Sequence, residues 1–188
     1  YDMGHLFSSK WNGGSMVNQG FDVVEVTLDQ DALKDVDLLW IADMRTELTP
    51  EEEAALEKYI EQGGNLVFMG EPSHRETQNK VLNKFFGLEL TPLLVGPDVR
   101  FKGSLTANVL AAVPTQRSKE LMYPMKNSYR IAHENCAGIE EVENKGFKVE
   151  ALVSTDTTGP VWTELETTDF VDDTVKFNPT VGEISKVF

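Results

Sequence analysis

Five residues in two short stretches are of types that do chemistry. Arg45 stands within Asp43–Thr49, and Glu71, Ser73, His74 and Arg75 stand together soon after Met69. A carboxylate, a hydroxyl, an imidazole and two guanidiniums can hold an anion, orient a sugar, or share the acid and base roles of a hydrolysis. Each chemistry has a more specific pattern, and those patterns are incomplete here. A nucleophile elbow needs serine inside G-x-S-x-G on a strand–turn–helix. The turn here reads Met69-Gly70-Glu71-Pro72-Ser73, with no cysteine and with a proline that stiffens it. Ser73 is therefore expected to cap a helix, in a capping box with Glu76. Cys136 stands three residues after His133, a weak Cys–His signal, and an unreactive, largely buried thiol is the expectation. His5, His74 and His133 fall in no H-x-x-x-H or H-E-x-x-H frame, so no metal site is expected. Asp169, Asp172 and Asp173 lack the glycine-hinged spacing of a calcium loop. No G-x-G-x-x-G follows a strand, and Gly63-Gly64 follows a helical pattern instead of opening one, so no nucleotide or other cofactor is expected.

The stretch from Val36 to Pro72 must position these residues. Val36–Ala42 is a continuous apolar run, as in a strand covered on both faces. Thr49 is placed as a helix cap, Pro50 at the first helical position and Glu52 as its capping-box partner, with Glu51–Glu53 suited to the positive end of the helix dipole. Ala55, Leu56, Tyr59 and Ile60 form one apolar stripe. Gly63 and Gly64 stop the helix, and Asn65–Met69 is a second strand. A strand–helix–strand unit of this kind makes a right-handed crossover between parallel strands. The loops holding Arg45 and Glu71–Arg75 then share the carboxyl edge of the sheet, where open α/β sheets bind ligands.

Around this unit the spacing predicts a helix near Ser15–Gln19 ended by Gly20, a strand over Phe21–Leu28, and a helical turn around Ala32 and Leu33. A helix to Phe86, with Val81, Leu82, Phe85 and Phe86 inward, ends at Gly87. From Leu88 the chain turns β-rich, with strands expected at Leu88–Pro97, Val99–Leu105, Met122–Ala132 and Phe147–Ser154. Asn135–Gly146 is expected to hold a short helix or turn, Thr155–Pro160 a loop, and Val161–Leu165 one brief segment. Trp11, Trp40 and Trp162 are expected as core or partner-facing anchors.

The chain's 188 residues suffice for one domain, or one domain with a small annex. With 17 Lys and Arg against 31 Asp and Glu, its net charge of −14 excludes a phosphate-backbone partner and disfavours anionic lipid. No apolar run approaches the ~18–20 residues that cross a bilayer. The chain starts at Tyr1 without a leader or a methionine, so a piece of a longer protein is expected. One cysteine permits no internal disulfide.

The residues from Asp37 to Pro72 carry a likeness. An apolar strand beginning with Asp, then Leu48-Thr49-Pro50-Glu51-Glu52, then Tyr59–Val67 and a strand ending Gly70-Glu71-Pro72 resemble the glutamine-amidotransferase-like fold. More narrowly, they resemble the soluble domain of auxiliary components of ABC-2-type transporters, the gliding-motility-type group. Lys84–Leu88, the segment Val149–Ser154 and Trp162-Thr163-Glu164 also suit that group. The resemblance implies an α/β fold that is flavodoxin-like, or class I glutamine-amidotransferase-like. The sheet would be mostly parallel and doubly wound, with a β-richer C-terminal half, in a single domain over 1–188 with 88–135 as a β-rich insertion or annex. Amidotransferase chemistry needs a cysteine where Gly70-Glu71 stand. The implied role is a non-catalytic, extracytoplasmic (periplasmic) domain, tethered to the inner membrane by segments outside this chain. It would bind membrane transporter subunits, another protein partner or a translocated substrate. Trehalose-utilisation-type domains share the Gly-Gly-strand signature. They leave open an enzyme, or a small-ligand or sugar-binding module, using the loops after the strands at 36–42 and 65–69.

Overall fold

The computed structural model describes residues 7, 14–95, 99–101, 104–106, 109–121, 131–155 and 161–164. These fall into two compact units: residues within 1–39 and 48–66, and residues within 40–47 and 67–188. The strands β1 (Leu38–Ala42) and β2 (Asn65–Met69) run through both.

The first unit is built on local signals. Helix α1 (Pro50–Glu61) starts on the expected reciprocal cap. The Glu52 N–H donates to the Thr49 hydroxyl oxygen (3.2 Å), and the Thr49 N–H donates to the Glu52 carboxylate (2.8 Å). Ala55, Leu56 and Tyr59 are buried in this unit, as are Leu33 and Leu39, while Ile60 is only half-buried. After α1, the Gly64 N–H returns to the Tyr59 carbonyl (2.9 Å). A Cβ on Gly64 would run into the Tyr59 ring, whose hydroxyl donates to the Asn65 carbonyl (2.8 Å). Gly64 is therefore needed for this close approach, while the left-handed residue of the turn is Gly63 (φ +85°). At the start of the pair, the Asn65 side chain donates to the Asp37 carbonyl (2.9 Å); at its end, the Asp43 N–H donates to the Met69 carbonyl (3.0 Å). Start meets start and end meets end, so β1 and β2 run in the same direction, joined by α1 as parallel strands require.

Three expectations for this region are corrected. β1 begins at Leu38, two residues late, because the Val36 N–H closes the preceding turn on the Leu33 carbonyl (3.2 Å). The helix near Ser15–Gln19 shrinks to a 3₁₀ turn, Val17–Gln19, ended by Gly20 in the left-handed conformation (φ +91°). Phe21–Leu28 is no strand. It has no partner among the described residues, and without a ladder its β-branched sequence stays irregular.

In the second unit, α2 (Arg75–Phe86) buries Gln78, Val81 and Leu82 and ends at Gly87 (φ +66°). The strands β3 (Leu88–Val95), β8 (Ala137–Glu141) and β10 (Trp162–Glu164) form an antiparallel sheet in the order β10-β3-β8. Both backbone groups of Leu90 bond the Asn79 side chain (3.0 and 2.8 Å), fastening α2 to β3. Pro92 lies inside β3, within the strand expected over Leu88–Pro97. The register shifts between Leu90 and Leu93, and the Thr91 hydroxyl accepts the Gly138 N–H (2.9 Å) across that break. The helix or turn expected over Asn135–Gly146 is thus corrected to strand β8, held by its pairing with β3. The strands β4 (Val99–Phe101) and β5 (Ser104–Thr106) form a hairpin. The strands β6 (Val109–Pro114), β7 (Ile131–Glu134) and β9 (Val153–Thr155) form the antiparallel order β7-β6-β9. Strand β9 replaces the longer strand expected over Phe147–Ser154. Neither β6 nor the short helix α3 (Gln116–Leu121) was legible in the sequence. The architecture is mixed α/β with small sheets and a β-richer C-terminal half. Among the described residues, parallel pairing is confined to β1 and β2. The strand expected at Met122–Ala132 lies outside the described residues up to 130, as do residues 96–98, the loop 156–160 and everything after 164.

Candidate functional site

The Asp43 N–H bond to Met69 sets the loops after β1 and β2 beside each other, and the predicted residues converge there. Asp43 itself adopts a left-handed backbone (φ +47°). Arg45 donates to one oxygen of the Asp43 carboxylate through Nε (2.8 Å) and Nη2 (2.6 Å). Nδ1 of His74 lies 2.9 Å from the other oxygen. The Ser73 hydroxyl lies 3.4 Å from the same His74 nitrogen and donates to the Glu71 carboxylate (3.3 Å). The Arg45 guanidinium holds the Asp43 carboxyl below the usual carboxylate range; burial opposes it less strongly, and the His74 bond adds to the lowering.

Beneath this cluster Gln78 is fully buried. Its amide oxygen accepts the Glu71 N–H (2.9 Å), and its amide nitrogen donates to the Met44 carbonyl (3.0 Å). One side chain on α2 thereby ties the two loops together. Lys80 pairs with Glu47 further along the same side.

The capping box expected between Ser73 and Glu76 does not form. Pro72 opens a 3₁₀ turn, Pro72–His74, in which the His74 N–H bonds the Glu71 carbonyl (3.0 Å) and the Arg75 N–H bonds the Pro72 carbonyl. Those donors are met by the backbone, so the Ser73 hydroxyl turns to Glu71 and the cap position passes to His74. Arg75 is the first residue of α2, and its side chain makes no hydrogen bond or ion pair among the described residues.

Of the five predicted residues, Arg45, Glu71, Ser73 and His74 meet in one cluster. Asp43 and Gln78, which join them, were not singled out. Asp43 carried only the signal of ending the apolar run. Gln78 carried a better one: a polar residue four positions before Leu82, on a stripe that is otherwise apolar.

This arrangement differs from a serine–histidine–aspartate relay. In a relay the hydroxyl and the carboxylate use opposite ring nitrogens; here both lie on Nδ1. Cys136 packs against Leu94 and Val161, and burial pushes its thiol up, away from the reactive thiolate. Trp40 is half-buried, with Nε1 donating to the Met69 sulfur (3.0 Å). Among the described residues, no three His, Cys, Asp or Glu side chains are grouped to hold a metal. His5, Trp11 and Asp169–Asp173 lie outside the described residues.

Fold and site define a mixed α/β module with a polar cluster at the carboxyl edge of a parallel strand pair. The chain belongs to the family of auxiliary components of ABC-type transport systems, described as "ABC-type uncharacterized transport system", which it matches over residues 4–125. Among solved structures it is similar to one titled "mmIFT52 N-terminal domain", with a TM-score of 0.58 and 16% identity, over 82% of this chain and 72% of that one. At that identity the likeness concerns the fold alone. No curated protein matches the sequence.

Proposed function

We propose that the chain is a non-catalytic, extracytoplasmic domain of an ABC-type transport system, on an amidotransferase-type doubly wound scaffold that no longer carries a reactive thiol. It binds transporter subunits or a translocated substrate through the loops after β1 and β2, with Arg45, Glu71, Ser73, His74 and Arg75 at the contact. Family membership supports the transport role. The observation that carries the non-catalytic reading is the closed set of contacts on Asp43. Arg45 and His74 are spent on one carboxylate, and Gln78 locks the loops beneath them. Such a cluster fixes a surface for docking.

The test is retention of the full-length protein on purified, membrane-embedded subunits of its own transporter. Replacing Arg45 and Arg75 together by alanine should weaken retention at least about tenfold, the loss expected from two contact residues near 1 kcal/mol each. Unchanged retention would remove these loops from the interface.

A second reading, an enzyme or a small-ligand or sugar-binding module, draws on the same convergence. The Ser73 hydroxyl lies within hydrogen-bond reach of both the Glu71 carboxylate and the His74 ring, a chain of acid–base groups. It predicts turnover or binding of a glycoside or amide that is lost in His74→Ala.

A further inference from the structure

A histidine ring has two nitrogens, and the cluster after β1 and β2 uses only one of them on His74. Nδ1 lies 2.9 Å from Oδ1 of Asp43 and 3.4 Å from the Ser73 hydroxyl. Nε2 has no hydrogen-bond partner among the described residues and is not buried. With the side chain 34% exposed, this second nitrogen is open to an incoming group.

What Nε2 offers depends on where the ring proton sits, and Asp43 decides that. With Arg45 beside it, the Asp43 side chain is an ionised carboxylate, which only accepts hydrogen bonds. The Ser73 hydroxyl directs its own proton to Glu71. The proton between Asp43 and His74 therefore belongs to Nδ1. In the neutral ring, Nε2 is then left with a lone pair and no proton. A carboxylate or carbonyl oxygen brought to it meets another acceptor. A hydroxyl, amide or ammonium group meets its complement.

We infer that Asp43 is a positioning residue, holding His74 with its proton on Nδ1 so that Nε2 accepts a hydrogen bond from a donor group on the docked transporter subunit. The inference rests on the docking reading above and adds the polarity of one contact.

Asp43→Asn tests it, because Arg45 fixes how the new amide lies. Both Arg45 donors, Nε and Nη2, go to Oδ2. They keep the amide oxygen there and turn the amide nitrogen towards His74. Nδ1 must then accept, and the proton moves to Nε2 while the shape of the site is kept. Nitrogen-15 NMR of the histidine-labelled 188-residue chain at mildly alkaline pH reads the tautomer, with the His74 signal assigned by its loss in His74→Gln. The native chain should show a protonated Nδ1 and a bare Nε2, and Asp43→Asn the reverse. Retention of the full-length protein on its transporter subunits should fall at least about tenfold in Asp43→Asn, where donor faces donor. The glutamine of His74→Gln can turn its amide oxygen outward unaided, so adding Asp43→Asn to it should change retention by less than about twofold. In the full-length protein free of subunits, diethyl pyrocarbonate should modify His74, and bound subunits should block the reaction.

A protonated Nε2 in the native chain would remove the acceptor and overturn the proposal. Equal losses from Asp43→Asn in both backgrounds would mean that Asp43 acts without His74. An unreactive His74 in the free full-length protein would mean that a segment of its own chain covers the ring. If replacing Arg45 and Arg75 by alanine weakens retention while Asp43→Asn does not, the loops still dock and this contact alone is refuted. If neither change weakens it, the docking reading falls as well.

Discussion

Asp43 concentrates the site's electrostatics in one side chain. Its carboxylate receives Arg45 and His74, and its backbone sits in the left-handed region that asparagine also tolerates. Asp43→Asn therefore removes charge with little added backbone strain. The folded-state pKa is lowered below the ordinary value of 3.8, chiefly by Arg45. Asp43 thus contributes stability above that value, and the contribution is lost as pH falls through the folded-state pKa. Denaturant unfolding at a series of pH values should show the native chain more stable than Asp43→Asn near neutrality, with the gap closing only below 3.8. A gap that stayed constant to low pH would mean that the ion pair contributes nothing. Gln78 differs in kind, because it is buried and bonds backbone groups of both loops. Gln78→Leu should strand the Glu71 N–H and the Met44 carbonyl and cost about 2–4 kcal/mol in the same measurement.

At the scale of the element, the chain shows which signals suffice by themselves. The α1 cap is made by side chains three residues apart, so Thr49→Ala should cost about 1 kcal/mol whatever happens elsewhere in the molecule. The end of α2 is less local. Gly87 has φ +66°, and its carbonyl accepts the N–H groups of Val142 (2.8 Å) and Glu143 (3.1 Å). A Cβ there would collide with the Glu143 carbonyl oxygen. Gly87→Ala should therefore cost more than ~2 kcal/mol, combining left-handed strain with a backbone clash. Thermal or denaturant unfolding of the two variants separates a cap from a packing contact. Strand β8 follows a different rule: nothing in Ala-Gly-Ile-Glu-Glu marks it, and its register with β3 makes it a strand.

For the whole molecule, the −14 charge works against compaction, most of all in the first unit, where acidic residues line both the 21–37 segment and α1. Raising ionic strength from ~0.01 M to ~0.15 M shortens the screening length from ~30 Å to ~8 Å. The melting temperature should rise over that interval; a fall would mean that paired charges such as Arg45–Asp43 outweigh the net repulsion.

The sequence by itself determined α1 with its cap and both its limits, strand β2, the end of α2, and the neighbourhood of Arg45 to Glu71, Ser73 and His74. Each rests on signals a few residues apart, or on the rule that parallel strands present their following loops on one edge. Only the tertiary structure decided that Asp43, 31 residues from His74, is the hub of the cluster, and that Ser73 turns to Glu71 instead of capping a helix. It alone decided that Phe21–Leu28 joins no ladder among the described residues while Ala137–Glu141 becomes a strand. A strand exists only through hydrogen bonds to a partner distant in the chain, and no local pattern states whether that partner will be there.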